Sequence, residues 1–308
     1  MNEIINKLKE RLVNNDINTE GEFRHELREI TQEFIMAGLS KTDFFTKATF
    51  HGGTSLRMMY HIDRYSEDLD FTLDKANIGF EWKPYLNMIQ EFVGQYGCSL
   101  ETVDKSKVES NVKKAFVKDS SIEQMMNMSW TRKGRMSEKI RVKLELDANP
   151  PFGSVNEIKT YSYPVKFNVK MQNLSSLFAG KCHALLCREY EKGRDWFDLK
   201  WFVNRGVEPN YNYLDSMLEQ HGPWKGKLVN SNKTWISAEL LKKNELLNFD
   251  EINEDIRKFT NSKSHIILDK NIISGIMQKF NSLSYGRNNG SEDNNPKKKA
   301  HGYDYDMR

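Results

Sequence analysis

Hydrophobic and polar positions alternate with a period of two in one segment near the middle of the chain. Within residues 140–147 the apolar members alternate with charged ones: Ile140, Val142, Leu144 and Leu146. A period of two is typical of a strand with one buried face and one polar face. The pattern therefore predicts a half-buried strand whose polar face carries the carboxylates Glu145 and Asp147.

A second segment, residues 47–73, predicts a strand, a turn, a helix and another strand. Lys47–His51 and Leu69–Leu73 are short apolar runs of strand length. The stretch between them opens with Gly52 and Gly53 and continues with helical spacing. The segment therefore predicts one strand–turn–helix–strand unit.

The first 46 residues have a helical period. Apolar residues form two stripes, separated by a break at residues 14–21: Ile4, Ile5, Leu8 and Leu12, then Phe23, Leu27, Ile30, Phe34 and Ile35. Ser40 is expected to cap a short further helix that runs through Phe45. We interpret residues 1–46 as a helical lead-in that packs on a core domain spanning residues 47–170.

The rest of the chain changes character twice. A helix is predicted over residues 78–97, strand-like stretches over 100–117 and an extended segment over 161–169. Residues 171–283 have mostly helical spacing and are interpreted as a helical domain. Residues 284–308 contain few apolar positions, so we expect a disordered tail.

The two-glycine turn has the composition of a phosphate-binding element. Glycines let the backbone take positive φ and approach a ligand closely. Thr54 or Ser55 is expected to cap the helix that follows. Because free N–H groups and the helix dipole favour an anion at a helix start, Gly52, Gly53, Thr54 and Ser55 are candidate phosphate-binding residues.

Asp68 and Asp70 follow this helix at the start of the second strand. Residues i and i+2 of a strand point to the same face, so both carboxylates are directed to one place. Paired carboxylates are suited to a hard divalent cation. A phosphate-binding turn followed by two such carboxylates indicates metal-assisted phosphoryl chemistry.

Two charged pairs stand out in the helical part. Ser175 is expected to cap a helix that places Lys181 and Arg188 on one face, either to hold a triphosphate or as a solvated basic face. Asp195 is explained by a position near the start of the next helix. Asp198 lies among aromatic residues and needs a partner, because an unpaired buried charge is costly. Lys181, Arg188 and the substrate are the candidate partners.

Composition limits the functional classes. The 308 residues are 38% hydrophobic and 29% charged, without an apolar run long enough for a membrane helix or a signal peptide. We therefore expect a cytoplasmic protein that does not interact with membranes. The net charge of +3 permits contact with nucleic acid without requiring it. Three cysteines without metal-ligand spacing are expected to be reduced thiols.

Four motifs together resemble a known family. Gly-Gly-Thr-Ser-Leu-Arg (residues 52–57) and Arg-Tyr-Ser-Glu-Asp-Leu-Asp-Phe (residues 64–71) resemble the core of the polymerase-β-like nucleotidyltransferases, and in particular the AbiEii/AbiGii family of bacterial toxins. Lys181 in an Ala-x-Lys-x-x-Ala-Leu context and the Arg-Asp-x-x-Asp-Leu element at residues 194–199 add to the resemblance. It implies an α+β fold, with a mixed sheet flanked by helices and a C-terminal helical part.

The resemblance also implies roles for the candidate residues. A nucleoside triphosphate would be the substrate and Mg²⁺ or Mn²⁺ the cofactor, held by Asp68 and Asp70 with a third carboxylate, Glu145 or Asp147. Lys181 would pair with the triphosphate, and Asp198 would orient Lys181 or help to deprotonate the acceptor. The residues expected to bind the nucleotide are Gly52, Gly53, Thr54, Ser55, Ser66 and Arg188.

The family further implies a toxin–antitoxin or abortive phage infection system, with tRNA as the acceptor and a cognate antitoxin encoded nearby. The basic residues compatible with tRNA backbone contacts are Lys113, Lys114, Arg132, Lys133 and Arg135. Three alternatives stay open. They are transfer to a protein or a small molecule, a phosphotransferase, and a non-catalytic protein that binds nucleotide or antitoxin.

Overall fold

A seven-stranded sheet forms the centre of the part of the chain that our computed structural model describes, which is residues 2–15, 17–119, 121–122, 139–264 and 266–283. The strands are β1 Ala48–His51, β2 Leu69–Leu73, β3 Leu100–Asp104, β4 Val112–Asp119, β5 Ile140–Asp147, β6 Asn156–Tyr161 and β7 Phe167–Gln172. The predicted tail, residues 284–308, and Arg132, Lys133 and Arg135 lie outside the described residues.

The sheet is mixed. Its order is β3-β4-β5-β2-β1-β7-β6. The pairs β2–β5 and β1–β7 are parallel, and the other neighbouring pairs are antiparallel. This architecture, with helices packed against the sheet, confirms the predicted α+β class and its mixed sheet.

The two faces of the sheet differ in polarity because each strand alternates. Phe50, Phe71 and Leu144 share the apolar face and are fully buried or nearly so. The ring of Phe44, before β1, meets that of Phe71 edge-on at 4.9 Å between centroids. The opposite face carries polar side chains, among them those of Asp70 and Glu145, which are register partners.

Helices precede, interrupt and follow the strands. They are α1 Asn2–Asn14, α2 Glu20–Leu39, α3 Phe44–Lys47, α4 Gly52–Tyr60, α5 Lys83–Gly94, α6 Leu174–Cys187, α7 Gly193–Asn204, α8 Tyr211–Gln220, α9 Lys233–Asn244, α10 Phe249–Lys258 and α11 Lys270–Ser282. Among the described residues, no helix combines the length and apolar character needed to span a bilayer.

Three predicted boundaries were wrong. Ser40 ends α2 instead of starting a helix, since its hydroxyl donates to the carbonyl of Ala37 at 2.6 Å. Asn173, not Ser175, caps α6 and accepts a hydrogen bond from the N–H of Ser176. α5 begins at Lys83, later than predicted, because Pro84 is tolerated only in the first turn of a helix.

The extended segment predicted over residues 161–169 is instead a reversal between two strands. β6 ends at Tyr161 and β7 begins at Phe167, and the two pair antiparallel. Each of the two strands alternates, so the pattern alone could not show that the chain turns back between them. β6 forms one edge of the sheet.

A buried ionic cluster attaches α1 to α2. The guanidinium of Arg11 donates to Glu26 at 3.0 Å, to Glu29 at 2.9 Å and to Glu33 at 2.7 Å. Burial raises the pKa of Glu33 to about 7, although Arg11 opposes this shift. The N-terminal helix is therefore fixed to the layer that covers the apolar face of the sheet.

Candidate active site

The turn between β1 and α4 brings the backbone against the carboxylate of Asp70, which we call the central carboxylate. Gly52 has φ of 80°, in the left-handed region that favours glycine. A Cβ atom at Gly52 would overlap the Asp70 carboxylate. At Gly53 it would come 2.9 Å from both Ser66 Oγ and Arg64 Nη2. Glycine is thus favoured at both positions, because neighbouring side chains lie too close to the backbone to leave room for a Cβ atom.

Thr54 and Ser55 do not cap α4, so that expectation was wrong. The helix already begins at Gly52, which places both residues inside its first turn. The buried hydroxyl of Thr54 donates to the carbonyl of Asp68, and that of Ser55 donates to the carbonyl of Gly52 at 2.8 Å. Thr54 therefore ties the helix to the segment that carries Asp68, and the backbone N–H groups of the first turn are the groups available to a phosphate.

Two carboxylates of adjacent strands lie side by side. Asp70 on β2 is the register partner of Glu145 on β5. Asp147 instead pairs with Thr72 and accepts a hydrogen bond from the N–H of Asn149 at 2.9 Å. Of the two residues considered for the third carboxylate, the structure therefore places Glu145 beside the central carboxylate.

The central carboxylate is in a negative environment. Burial, Asp68 and Glu145 raise the pKa of Asp70 to about 7, while Lys181 and Lys143 oppose the shift. A group held this way gains from a nearby cation, because the cation offsets the repulsion among the carboxylates. This observation fits a divalent ion at Asp68 and Asp70.

Glu145 is less suited to the same ion. Its Oε1 lies 3.1 Å from the ammonium of Lys114, and its Oε2 lies 3.1 Å from that of Lys143. Lys143 also contacts Asp68 Oδ2 at 3.0 Å. Within the described ranges, no three His, Cys, Asp or Glu side chains are grouped as a metal site would require.

A second, buried cluster joins the loop before β2 to α6 and α7. Arg64 donates to both oxygens of the fully buried Asp198 at 2.6 Å, and Lys181 lies 2.7 Å from Asp198 Oδ2. Lys181 also contacts Asp195 at 2.9 Å, and Arg188 pairs with Asp195. Lys181 is therefore the predicted partner of Asp198, Arg64 is an unpredicted one, and Arg188 contacts Asp195 instead.

The second cluster carries one more positive charge than negative charge. Burial lowers the pKa of Lys181, and Asp195 and Asp198 raise it with a net upward shift. Burial raises the pKa of Asp195, and Lys181 and Arg188 bring it below its usual value. Lys181 and Asp195 are thus held in their charged forms, and the positive charge of Lys181 opposes the upward shift in the pKa of Asp70.

Asp195 was assigned to capping and the helix dipole alone, and that interpretation was incomplete. It is buried and holds Lys181 and Arg188. Sequence reasoning also gave no role to Arg64 and Lys143. Arg64 could have been suspected because a buried acid such as Asp198 needs a buried base. No local signal marks Lys143, since its alternation is that of any polar strand face.

Two other predictions concern basic residues and cysteines. Lys113 is buried, and its ammonium donates to the carbonyls of Lys107 and Val108 at 3.0 Å, so its assignment to a tRNA contact was wrong. The period of two turns Lys113 to the face of β4 opposite Lys114. Cys98, Cys182 and Cys187 are free thiols, as predicted.

The chain is similar to known proteins in sequence and in fold. The family described as "Nucleotidyl transferase AbiEii toxin, Type IV TA system" matches residues 34–270. The structure of JHP933 from Helicobacter pylori is similar in fold, with a TM-score of 0.50 and 16% identity over 86% of this chain and 93% of that chain. A candidate nucleotidyltransferase from H. pylori matches with a TM-score of 0.49 and 16% identity, over 85% of this chain and 96% of that one. No curated protein shows significant sequence similarity to the chain.

Proposed function

Because the chain belongs to the AbiEii nucleotidyl transferase toxin family, we propose that it transfers a nucleoside monophosphate from a nucleoside triphosphate to the 3′ end of tRNA. Family membership makes it a nucleotidyltransferase of a toxin–antitoxin system. The acceptor, the metal and the residues that act are parts of our proposal. We place the reaction in the cytoplasm, where tRNA is found, with an antitoxin as the regulatory partner.

One observation carries the proposal for the site. The left-handed turn at Gly52 lies against the central carboxylate so closely that no side chain fits between them. The first N–H groups of α4 are therefore next to Asp70, the register partner of Glu145. A phosphate bound at this helix start would have its oxygens within reach of an ion held by the carboxylates.

Asp68 and Asp70 would hold Mg²⁺, with Mn²⁺ as an alternative hard cation. When bound, such an ion neutralises negative charge on the attacking and leaving oxygens. Phosphate binding is assigned to groups of the protein itself. The first turn of α4, at Gly52 and Gly53, binds phosphate oxygens, and the hydroxyl of Ser66 lines the same turn.

Lys181 and Arg188 direct positive charge toward the triphosphate. Lys181 is held between two carboxylates, which fixes the position of its ammonium. Both oxygens of Asp198 are engaged by Arg64 and one also by Lys181. Asp198 is therefore a positioning residue that orients Lys181, and it has no free oxygen with which to deprotonate the acceptor.

The polar face of the sheet supports a polynucleotide acceptor. Beyond Lys114, β4 and β5 place Lys118 and Arg141 in register on this face. The guanidinium of Arg141 lies 3.9 Å from the centroid of the Phe116 ring. Cations follow a phosphate backbone, and an aromatic ring paired with arginine offers a surface on which a base can stack.

The experiment uses the purified chain, Mg²⁺, each α-labelled nucleoside triphosphate in turn, and total bacterial tRNA. Asp68→Ala removes a proposed metal ligand, and Glu101→Gln is the control, since Glu101 is an exposed carboxylate that pairs with Lys139. We expect label on tRNA with the wild type and the control variant only. Label on protein or on a small molecule instead would refute the tRNA acceptor.

A further inference from the structure

We propose that Lys143 is a resident cation of the active site, and that Glu145 positions this lysine instead of binding metal. The inference rests on the proposed function, because it concerns how the same site balances charge. It replaces the third carboxylate ligand with a lysine–glutamate pair. The predicted consequence is a site that binds one divalent ion at Asp68 and Asp70, with the ammonium of Lys143 in the position of a second cation.

The position of Lys143 follows from strand register. On β5, residues 143 and 145 point to the same face. Leu69 pairs with Leu144, so the preceding residue of the β2 segment, Asp68, comes beside Lys143. The ammonium then lies 3.0 Å from Asp68 Oδ2 and 3.1 Å from Glu145 Oε2. The ammonium of Lys143 therefore lies between two carboxylates of the proposed site.

Glu145 has no oxygen left for a metal ion. Lys114, its register partner on β4, forms an ion pair with Oε1, and Lys143 forms one with Oε2. A divalent ion at Glu145 would have to displace at least one of the two lysines. Asp70 differs, because no hydrogen bond or ion pair to its side chain is found within the described parts of the chain.

The charges support one ion. The carboxylates of Asp68, Asp70 and Glu145 carry three negative charges, and the ammonium groups of Lys114 and Lys143 carry two positive charges. With one divalent ion the net charge of this set is one positive. Two divalent ions on three carboxylates without the lysines would give the same value. The site therefore reaches the charge balance of a two-ion site with a single ion.

The test measures Mn²⁺ binding to the full, nucleotide-free chain by electron paramagnetic resonance, with no need for turnover. In Lys143→Met, Asp68 loses an opposing cation, so Mn²⁺ should bind about tenfold more tightly or with a second ion per chain. In Glu145→Gln, Mn²⁺ affinity should fall by no more than about tenfold, because the site loses one neighbouring negative charge and no direct bond to the ion. Lys139→Met is the matched control, because Lys139 pairs with Glu101 on the same face and away from these carboxylates.

Two results would overturn the inference. One is unchanged Mn²⁺ affinity and stoichiometry in Lys143→Met, or in Lys143→Gln if the methionine variant unfolds. The other is a loss of affinity of about a hundredfold or more in Glu145→Gln, which exceeds the effect of one lost charge and would make Glu145 a ligand. Failure of the proposed function is separable: a wild type that binds one Mn²⁺ and transfers no nucleotide refutes that function and leaves the assignment of Lys143 intact.

Discussion

The central carboxylate should cost the protein stability when no cation is present. Asp70 lies with Asp68 and Glu145, and burial together with these two groups raises its pKa to about 7. An unfolded Asp ionises near pH 4, so between these values the unfolded chain loses a proton that the folded chain keeps. The stability contributed by the proton is lost as pH rises through 7. Asp70→Asn removes this penalty and should stabilise the metal-free protein above that pH.

The size of the effect follows from the two pKa values. A difference of about three units corresponds to about 4 kcal/mol at a pH above both values. Asp70 keeps some contact with solvent at the polar face, which screens the charge. We therefore expect a gain of about 2 kcal/mol at pH 8, growing between pH 5 and pH 8 and constant above that.

Urea unfolding at pH 5, 7 and 8, without metal, measures this difference directly. Glu101→Gln on the same face should leave stability nearly unchanged at all three pH values, because an exposed ion pair contributes little to stability. Saturating Mg²⁺ should stabilise the wild type and leave Asp70→Asn nearly unchanged, which reduces the gap. A variant that is no more stable than the wild type at pH 8, or a gap that does not depend on pH, would refute the reasoning.

Three further substitutions test other parts of the account. Gly52→Ala should abolish nucleotide transfer, because its methyl group would overlap the central carboxylate, whereas Gly97→Ala, with similar φ and open space, should cost only about 1 kcal/mol in urea unfolding. Arg64→Lys loses one of two hydrogen bonds to buried Asp198 and should lower stability by about 2–3 kcal/mol, measured the same way, with reduced turnover. Arg11→Met leaves three buried carboxylates of α2 without their shared partner, so unfolding should become easier by about 3 kcal/mol at pH 8. The loss should be smaller at pH 5, because burial raises the pKa of Glu33 to about 7 and this carboxyl group is then uncharged.

Local patterns predicted the elements that carry the chemistry. The strand Leu69–Leu73 was predicted from a short apolar run and the strand ending at Asp147 from a period of two, and both are present in the mixed sheet. Their shared register, which puts Glu145 rather than Asp147 beside Asp70, was not readable. Register is set by how distant strands pair, and the sequence of either strand alone permits both choices.

The missed contacts have the same origin. The burial of Asp198 among aromatic residues indicated a charged partner, and Lys181 was among the candidates. Arg64 was missed because the loop that carries it meets α7 only in the folded chain. The capping errors at Thr54 and Ser175 arose because a serine or threonine near a helix start looks the same whether it caps the helix or lies one turn inside it.

The most direct test of the account asks which phosphorus bond is broken at the Gly52–Asp70 site. Purified wild type, Asp68→Ala and Glu101→Gln would each be given triphosphate labelled at the α or the γ position, with Mg²⁺ and tRNA, and the released products would be identified. The account predicts pyrophosphate in equal amount to the α-label transferred, from the wild type and Glu101→Gln alone. Release of nucleoside diphosphate with transfer of the γ-label, or equal turnover by Asp68→Ala, would contradict nucleotidyl transfer at these carboxylates.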